Sequence, residues 1–233
     1  SNEASCDDPI WDIKAFTIST LNLLRYAKKI KIKKFLFTST MGVYCDSKNV
    51  STELSKIEPN AFYGIHKRAS EEYIRIFSDE GMPTTILSLF NVYGPGQNMT
   101  DLRQGMLSIY MSFILKNKKI SVKGSLDRVR DFVYVSDVVN AIMLSAFDKK
   151  SNGKTLNVCT NVETSVDQAL KIIIKAFEKD SQYPIEVLKN TPRDIDYSCG
   201  DFSKIYNLLA WKPEIDLEDG ISKMVNWLKG DTK

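Results

Sequence analysis

Histidine is nearly absent from this chain. His66 is the only one in 233 residues, which excludes a metal site built from several imidazoles. Cysteine is scarce and scattered: Cys6, Cys45, Cys159 and Cys199 lie far apart with no Cys-x-x-Cys pair. Neither a zinc site nor a disulfide framework is indicated, and the thiols are read as reduced. No apolar run is long enough for a membrane-spanning helix and no secretory signal is visible, so the expectation is a cytoplasmic chain without a membrane partner. Glycine is thinly spread, and neither Gly-x-Gly-x-x-Gly nor Gly-x-x-Gly-x-x-Gly occurs. No glycine-rich phosphate cradle therefore lies within this stretch. Excess charge is also missing: 32 basic against 29 acidic residues leave +3, too little to argue for nucleic acid. The basic run Lys28–Lys34 reads as a solvated helix end, where cations suit the helix dipole. What remains, 43% hydrophobic and 26% charged, is an ordinary globular composition, sized for one large or two small domains.

The chemistry-bearing residues cluster between Phe35 and Lys67. Phe35-Leu36-Phe37 reads as a buried strand, followed at once by the hydroxyls of Thr38, Ser39 and Thr40. Tyr63 and Lys67 are four apart, so on a helix they share one face. A lysine so placed can lower a tyrosine pKa, and a tyrosine so tuned can act as a general base near neutral pH. Thr40 would hydrogen-bond the same substrate oxygen. Taken alone, the Tyr-x-x-x-Lys spacing is common in helices and more often structural. Upstream, Ile13, Phe16, Leu21, Leu24 and Ala27 mark a helix from Ile10 to about Lys29, with Ser1–Ser5 as a loop before it. Downstream, Thr84–Phe90 reads as a buried parallel strand that delivers Asn91 to its carboxyl end, where open α/β sheets bind ligands. The alternative is that Asn91 merely opens the turn before Tyr93-Gly94-Pro95. Further on, Ile120–Lys123 and Pro184–Leu188 read as strands. Ser136-Asp137, Ser165 and Asp216 are candidate helix caps.

The hydroxyl-ended strand, Tyr63…Lys67 and Phe90-Asn91-Val92-Tyr93-Gly94-Pro95 together resemble the extended short-chain dehydrogenase/reductase family, in particular its nucleotide-sugar epimerases and dehydratases of UDP-glucose 4-epimerase type. The resemblance spans nearly the whole chain. It implies an α/β fold: the C-terminal part of a Rossmann-type parallel sheet with helices, plus a smaller α/β substrate-binding domain. Residues 1–97 would be a partial NAD-binding domain to which 132–160 return, and 98–131 with 161–233 the substrate domain. The first strands and the glycine-rich turn would lie outside this chain, which is then expected not to hold NAD+ by itself. The resemblance further implies Thr40, Tyr63 and Lys67 as catalytic residues, with Ser39, Tyr63, Lys67, Phe90 and Val92 at the NAD cofactor. Thr40, Asn91, Met106, Ser121, Lys123, Arg130 and Arg193 would meet a UDP- or dTDP-hexose. Met106 follows Gln104-Gly105 at a helix start, and Arg193 belongs to Thr191-Pro192-Arg193-Asp194, similar to the family's substrate-covering loop. Arg130 is the implied diphosphate anchor, because a guanidinium suits phosphate oxygens bidentately. Arg128 is its solvated alternative, and an ordinary ion pair of Arg130 with Asp127 or Asp131 is the competing reading.

The chain departs from the family pattern at Phe16 (usually asparagine), Ser88 (often arginine), and Cys45, Cys159 and Arg193 (usually glycine). None of these departures falls on Thr40, Tyr63 or Lys67. The reading is an NAD-dependent nucleotide-sugar 4-epimerase, homodimeric through the helices around residues 10–29 and 64–80, with no metal. A 4,6-dehydratase would carry an Asp-Glu pair after the threonine, where this chain has Met41-Gly42. A uronate decarboxylase, or a partner-dependent fragment that binds a nucleotide sugar, are the other readings.

Overall fold

The computed structural model describes residues 2–103, 105–190 and 193–230. Ser1, Gln104, Thr191 and Pro192, which figure in the sequence reading, lie outside the described residues. The chain opens with α1 (Asn2–Asp7) and α2 (Pro9–Asp12). The expected loop over the first five residues is thus helical from Asn2. Pro9 starts α2 because its missing N–H costs nothing in a first turn, and the Asp8 carboxylate caps it, accepting from Trp11 N at 2.9 Å. The predicted continuous helix to Lys29 is broken in kind: Ile13–Ile18 is π-helical, and only α3 (Ser19–Lys29) returns to α geometry.

β1 (Phe35–Thr40) and a 3-10 turn (Met41–Val43) lead through a loop to α4 (Phe62–Asp79), β2 (Thr84–Leu89) and β3 (Asn91–Tyr93). Next come α5 (Met106–Leu115), β4 (Ile120–Lys123), β5 (Val129–Arg130), β6 (Phe132–Tyr134) and α6 (Val135–Phe147). The last elements are β7 (Lys154–Val158), β8 (Thr164–Ser165), α7 (Val166–Ala176), β9 (Ile185–Leu188), α8 (Ser203–Leu209) and α9 (Leu217–Lys229).

The organising sheet is parallel, in the order β1-β2-β7. β2 lies at its centre, which is why Thr84 to Ser88 are all buried and read as an unbroken run rather than an alternation. Register pairs Ser39 with Ser88 and Thr40 with Leu89, so β1 and β2 end together and open one crevice at their carboxyl ends. On one side, Leu24, Ala27 and Ile74 of α3 and α4 pack with Ile86. On the other, Leu87 and Leu156 pack with Val138 and Ala141 of α6 and with Ile205, Leu209 and Trp211. Each fully buried Leu or Ile contributes about 1.5–3 kcal/mol. A second core joins α5, α7 and α9 with Ile120 and Val122 of β4, and β4 pairs in parallel with β9.

Ser165 caps α7 in a reciprocal box with Gln168, and Asp216 caps α9 through Asp219 N at 2.8 Å, as expected. Asp137 does something else. The N-cap of α6 is Tyr134, and buried Asp137 accepts from the backbone N–H groups of Glu214 and Ile215 at 3.2 and 3.1 Å. It ties the segment before α9 to α6 instead of capping its own helix.

Candidate active site

Thr40 stands at the last position of β1 with extended backbone, and its hydroxyl accepts from Gly42 N at 3.1 Å, which shapes the 3-10 turn. The first turn of α4 presses against that turn. A Cβ at Gly64 would collide with the Gly42 carbonyl and with Pro59 Cβ. Gly64 therefore permits the close approach that brings Tyr63 to Thr40.

Lys67 is 7% exposed, and its Nζ donates to Thr38 O at 2.9 Å. The ammonium lies 4.7 Å from the ring centres of both Phe16 and Phe37 and 5.8 Å from that of Tyr63. Phe16 also meets Tyr63 edge-on, with centroids 5.5 Å apart. The residue in the place of the family's usual asparagine thus walls the Tyr63–Lys67 couple with an aromatic face. Ser39 Oγ donates to Glu71 Oε1 at 2.5 Å, and Arg68 Nη1 to Glu71 Oε2 at 3.1 Å, so the floor of the site holds a buried, paired carboxylate.

The electrostatics correct one expectation. Burial pushes the Tyr63 phenol up to about 12, the Asp12 carboxylate adds to the rise, and a hydrogen bond with Thr40 works against it. Burial brings Lys67 down to about 8, opposed by Asp12 and Glu71. The net shift of the phenol is upward, so burial outweighs any lowering by the Lys67 ammonium, which turns to Thr38 O and two ring faces.

A cavity of about 480 Å³ opens where β1 and β2 end. Ser39, Thr40, Tyr63, Lys67, Phe90, Asn91, Val92 and Met106 all line it. Asn91 is set by Asp131, whose carbonyl accepts from both Asn91 N and Asn91 Nδ2 at 3.0 Å. Asp131 is fully buried, and its carboxylate accepts from the N–H groups of Thr160, Asn161 and Gly200. A larger hollow of about 600 Å³, between α7 and residues 213–218, contains none of the predicted groups.

Ser121, Lys123, Arg130 and Arg193 do not line the crevice. Ser121 is half-buried within β4 and Lys123 is exposed. Arg130 is 3% exposed and donates to Asp194 Oδ1 at 3.0 Å, not to Asp127 or Asp131. Arg128 is not solvated: it is equally buried, donates to Asp194 Oδ2 and the Lys123 carbonyl, and gives its Nε–H to Ser125 O at 2.9 Å. Two guanidiniums thus share the Asp194 carboxylate, and the carboxylates of Asp46 and Asp196 also act on Arg130. The sequence places Asp194 only in the substrate-covering loop, and its pairing with Arg130 escapes sequence reasoning because 64 residues separate them. Arg193 adopts φ 62°, the left-handed backbone that explains why a glycine suits this place, and its guanidinium lies 5.4 Å from the Phe62 ring.

The model of the NAD dependent epimerase/dehydratase family matches residues 1–159. The chain belongs to that family. A putative UDP-glucose 4-epimerase of Methanocaldococcus jannaschii is 32% identical, over 98% of this chain and 74% of its own length. UDP-glucuronic acid decarboxylase 1 of Xenopus tropicalis is 29% identical, over 95% of this chain and 53% of its own. Among solved structures, UDP-glucose 4-epimerase of Thermotoga maritima with UDP-glucose superposes with a TM-score of 0.91 at 31% identity, covering 99% of this chain and 74% of that one. UDP-glucose 4-epimerase of Thermus thermophilus, solved with NAD, gives 0.90 at 25% identity, with coverages of 100% and 75%. The chain therefore spans between about half and three quarters of these relatives. Its fold is the Rossmann-type α/β arrangement of this family, and the family's cofactor is NAD.

The crevice fits that cofactor. Among the described residues the buried Lys67 ammonium makes one hydrogen bond, and an ammonium carries three donors. The remaining two suit the hydroxyls of a ribose, with Tyr63, Ser39, Phe90 and Val92 around them.

Proposed function

We propose that the protein is a nucleotide-sugar 4-epimerase acting on a UDP- or dTDP-hexose. The observation that carries this reading is the convergence of Thr40, Tyr63, Lys67 and Asn91 on one crevice at the ends of β1 and β2. NAD, when bound, supplies the hydride acceptor and donor for C4 and a positive charge that favours the Tyr63 phenolate. Tyr63 Oη takes the proton from the sugar 4-hydroxyl and returns it to the 4-oxygen after the sugar has turned in the pocket. Thr40 Oγ1 hydrogen-bonds that oxygen, and Lys67 holds ribose hydroxyls and keeps water from the phenol. Asn91 serves the diphosphate from the crevice, whereas Arg130, buried against Asp194 and outside the crevice lining, would have to leave that pair to reach it. Dehydration is disfavoured, because Met41 and Gly42 form the turn after Thr40 and bring no carboxylate to the sugar.

The working unit is read as a cytoplasmic homodimer, with its contact on α2, the π-helical segment, α3 and α4, where Trp11, Ile18, Tyr26 and Ile65 are exposed. The deciding experiment incubates the protein with NAD+ and UDP-glucose and follows UDP-galactose. Interconversion supports the epimerase reading. Calorimetric binding of UDP-glucose without interconversion would reduce this chain to the substrate-binding fragment.

A further inference from the structure

Behind the catalytic couple lies a buried His–Asp hydrogen bond that the mechanism above does not use. His66, the chain's single histidine, places Nδ1 at 2.7 Å from Asp12 Oδ2, and the residues are 6% and 2% exposed. They are 54 positions apart and join α4 to the residue that immediately precedes the π-helical segment. Neither lines the crevice. More bonds reinforce the seam: the carbonyl of His66 accepts from Thr17 Oγ1 at 3.3 Å and from Ser70 Oγ at 3.0 Å, and Ser70 Oγ also reaches Phe16 O at 3.2 Å.

The π-helix is the second, independent observation. An insertion of this kind costs helix geometry and occurs disproportionately at functional sites. Here the widened turn carries Phe16, whose ring is in contact with Tyr63 and Lys67. The pair and the widened turn therefore act on the same two catalytic groups from behind.

We propose that Asp12 and His66 form a positioning pair for the Tyr63–Lys67 couple: the pair locks the first turns of α4 onto the π-helical segment and lays a buried carboxylate behind both groups. The inference rests on the catalytic reading of Tyr63 given above. The other charged groups around the couple are Lys67 itself and Glu71 from α4, with Arg68 and Arg75 paired to Glu71, and Arg193 beside Phe62. Asp12 is the charge set against Tyr63 among them, and it favours the protonated phenol while favouring the charged ammonium.

The test titrates Tyr63 by NMR on protein labelled at tyrosine Cζ, with the signal assigned by its loss in Tyr63→Phe. In Asp12→Asn the Tyr63 transition moves to lower pH, by on the order of one unit. Should that variant not fold, Asp12→Ser keeps a hydroxyl acceptor for His66 without the charge, and the same downward shift is expected. In turnover, His66→Leu lowers kcat on the order of tenfold or more while leaving KM for UDP-glucose close to wild type, and His66→Asn, which retains an N–H donor, restores most of the loss. A Tyr63 transition that stays in place in the Asp12 variants, with only Tm falling, overturns the proposal and leaves the pair a structural clamp. A shifted transition in a protein that does not epimerise UDP-glucose retires the catalytic reading and keeps the pair's effect on Tyr63.

Discussion

Lys67 and Arg130 are both buried cations, 7% and 3% exposed, yet their surroundings differ in kind. Lys67 has one backbone carbonyl and two aromatic faces, and no carboxylate within ion-pair distance among the described residues. Arg130 faces a carboxylate that it shares with a second guanidinium. Burial lowers both pKa values, Lys67 to about 8 and Arg130 to about 10. The consequence differs. A lysine near 8 changes charge within reach of neutral pH and can take part in proton traffic. An arginine brought to about 10 is still charged at pH 7, a fixed cation clamped on its carboxylate. Both values fall by a similar margin, so one site is titratable and the other permanent because one cation is an ammonium and the other a guanidinium.

The strongest way to break this comparison is to remove the phenol that Lys67 adjoins. Tyr63→Phe is expected to cut turnover of UDP-glucose by about 10²–10⁴-fold, the usual contribution of a general base, with an unchanged fold by circular dichroism. Turnover within a factor of about three of wild type would deny the titratable site its role.

On the clamp side, Asp194→Asn leaves two buried guanidiniums without their carboxylate. Urea unfolding should show a loss of about 3 kcal/mol, part of which added UDP restores by supplying anionic oxygens. A loss that UDP leaves untouched would mean the arginines are purely structural.

A finer test uses pH. The Lys67 pKa is about 8 in the folded chain against 10.5 for the free side chain. Between these values the unfolded state binds the extra proton, so this group adds stability as pH rises and loses it as pH falls through the folded value. From pH 8 to 10.5 the unfolding free energy of wild type should gain on that of Lys67→Met by on the order of 2 kcal/mol. A difference that is flat across that window would place Lys67 in water.

The smallest effect belongs to an exposed cation with a good partner. Lys28 lies 2.5 Å from Glu80, with the side chains 53% and 49% exposed. Lys28→Ala should change the unfolding free energy in urea by less than about 1 kcal/mol and become silent at high salt. A larger cost would show that geometry outweighs solvation even at the surface.

Much of the site was legible in the chain because its signals are local. A strand ending in hydroxyls and a tyrosine four residues before a lysine are patterns within one element, and β1 and α4 realise both. The same holds for Ser165 with Gln168 and Asp216 with Asp219. The misreadings fall where the decisive neighbour is far away. Ser136-Asp137 has the composition of a cap, yet Asp137 serves backbone 77 positions on. Arg128 looks solvated beside Asp127, yet it is buried against Asp194. The lowered phenol pKa inferred from the Tyr63–Lys67 spacing failed for a related reason. Spacing sets proximity on a helix face, while the protonation balance depends on dielectric and on Asp12, which another helix contributes.

By itself the sequence determined the main strand and helix segments, that Tyr63 and Lys67 share a face, that Thr40 ends a strand and that Asn91 follows one. Hydrogen-bonding period and side-chain direction are properties of a short stretch of backbone. Only the tertiary structure decided that β1 and β2 end together, that α4 meets the 3-10 turn through Gly64, and that Asp12 pairs with His66 behind the couple. These depend on which distant segments share a low-dielectric interior, and charge and burial act through space rather than along the chain.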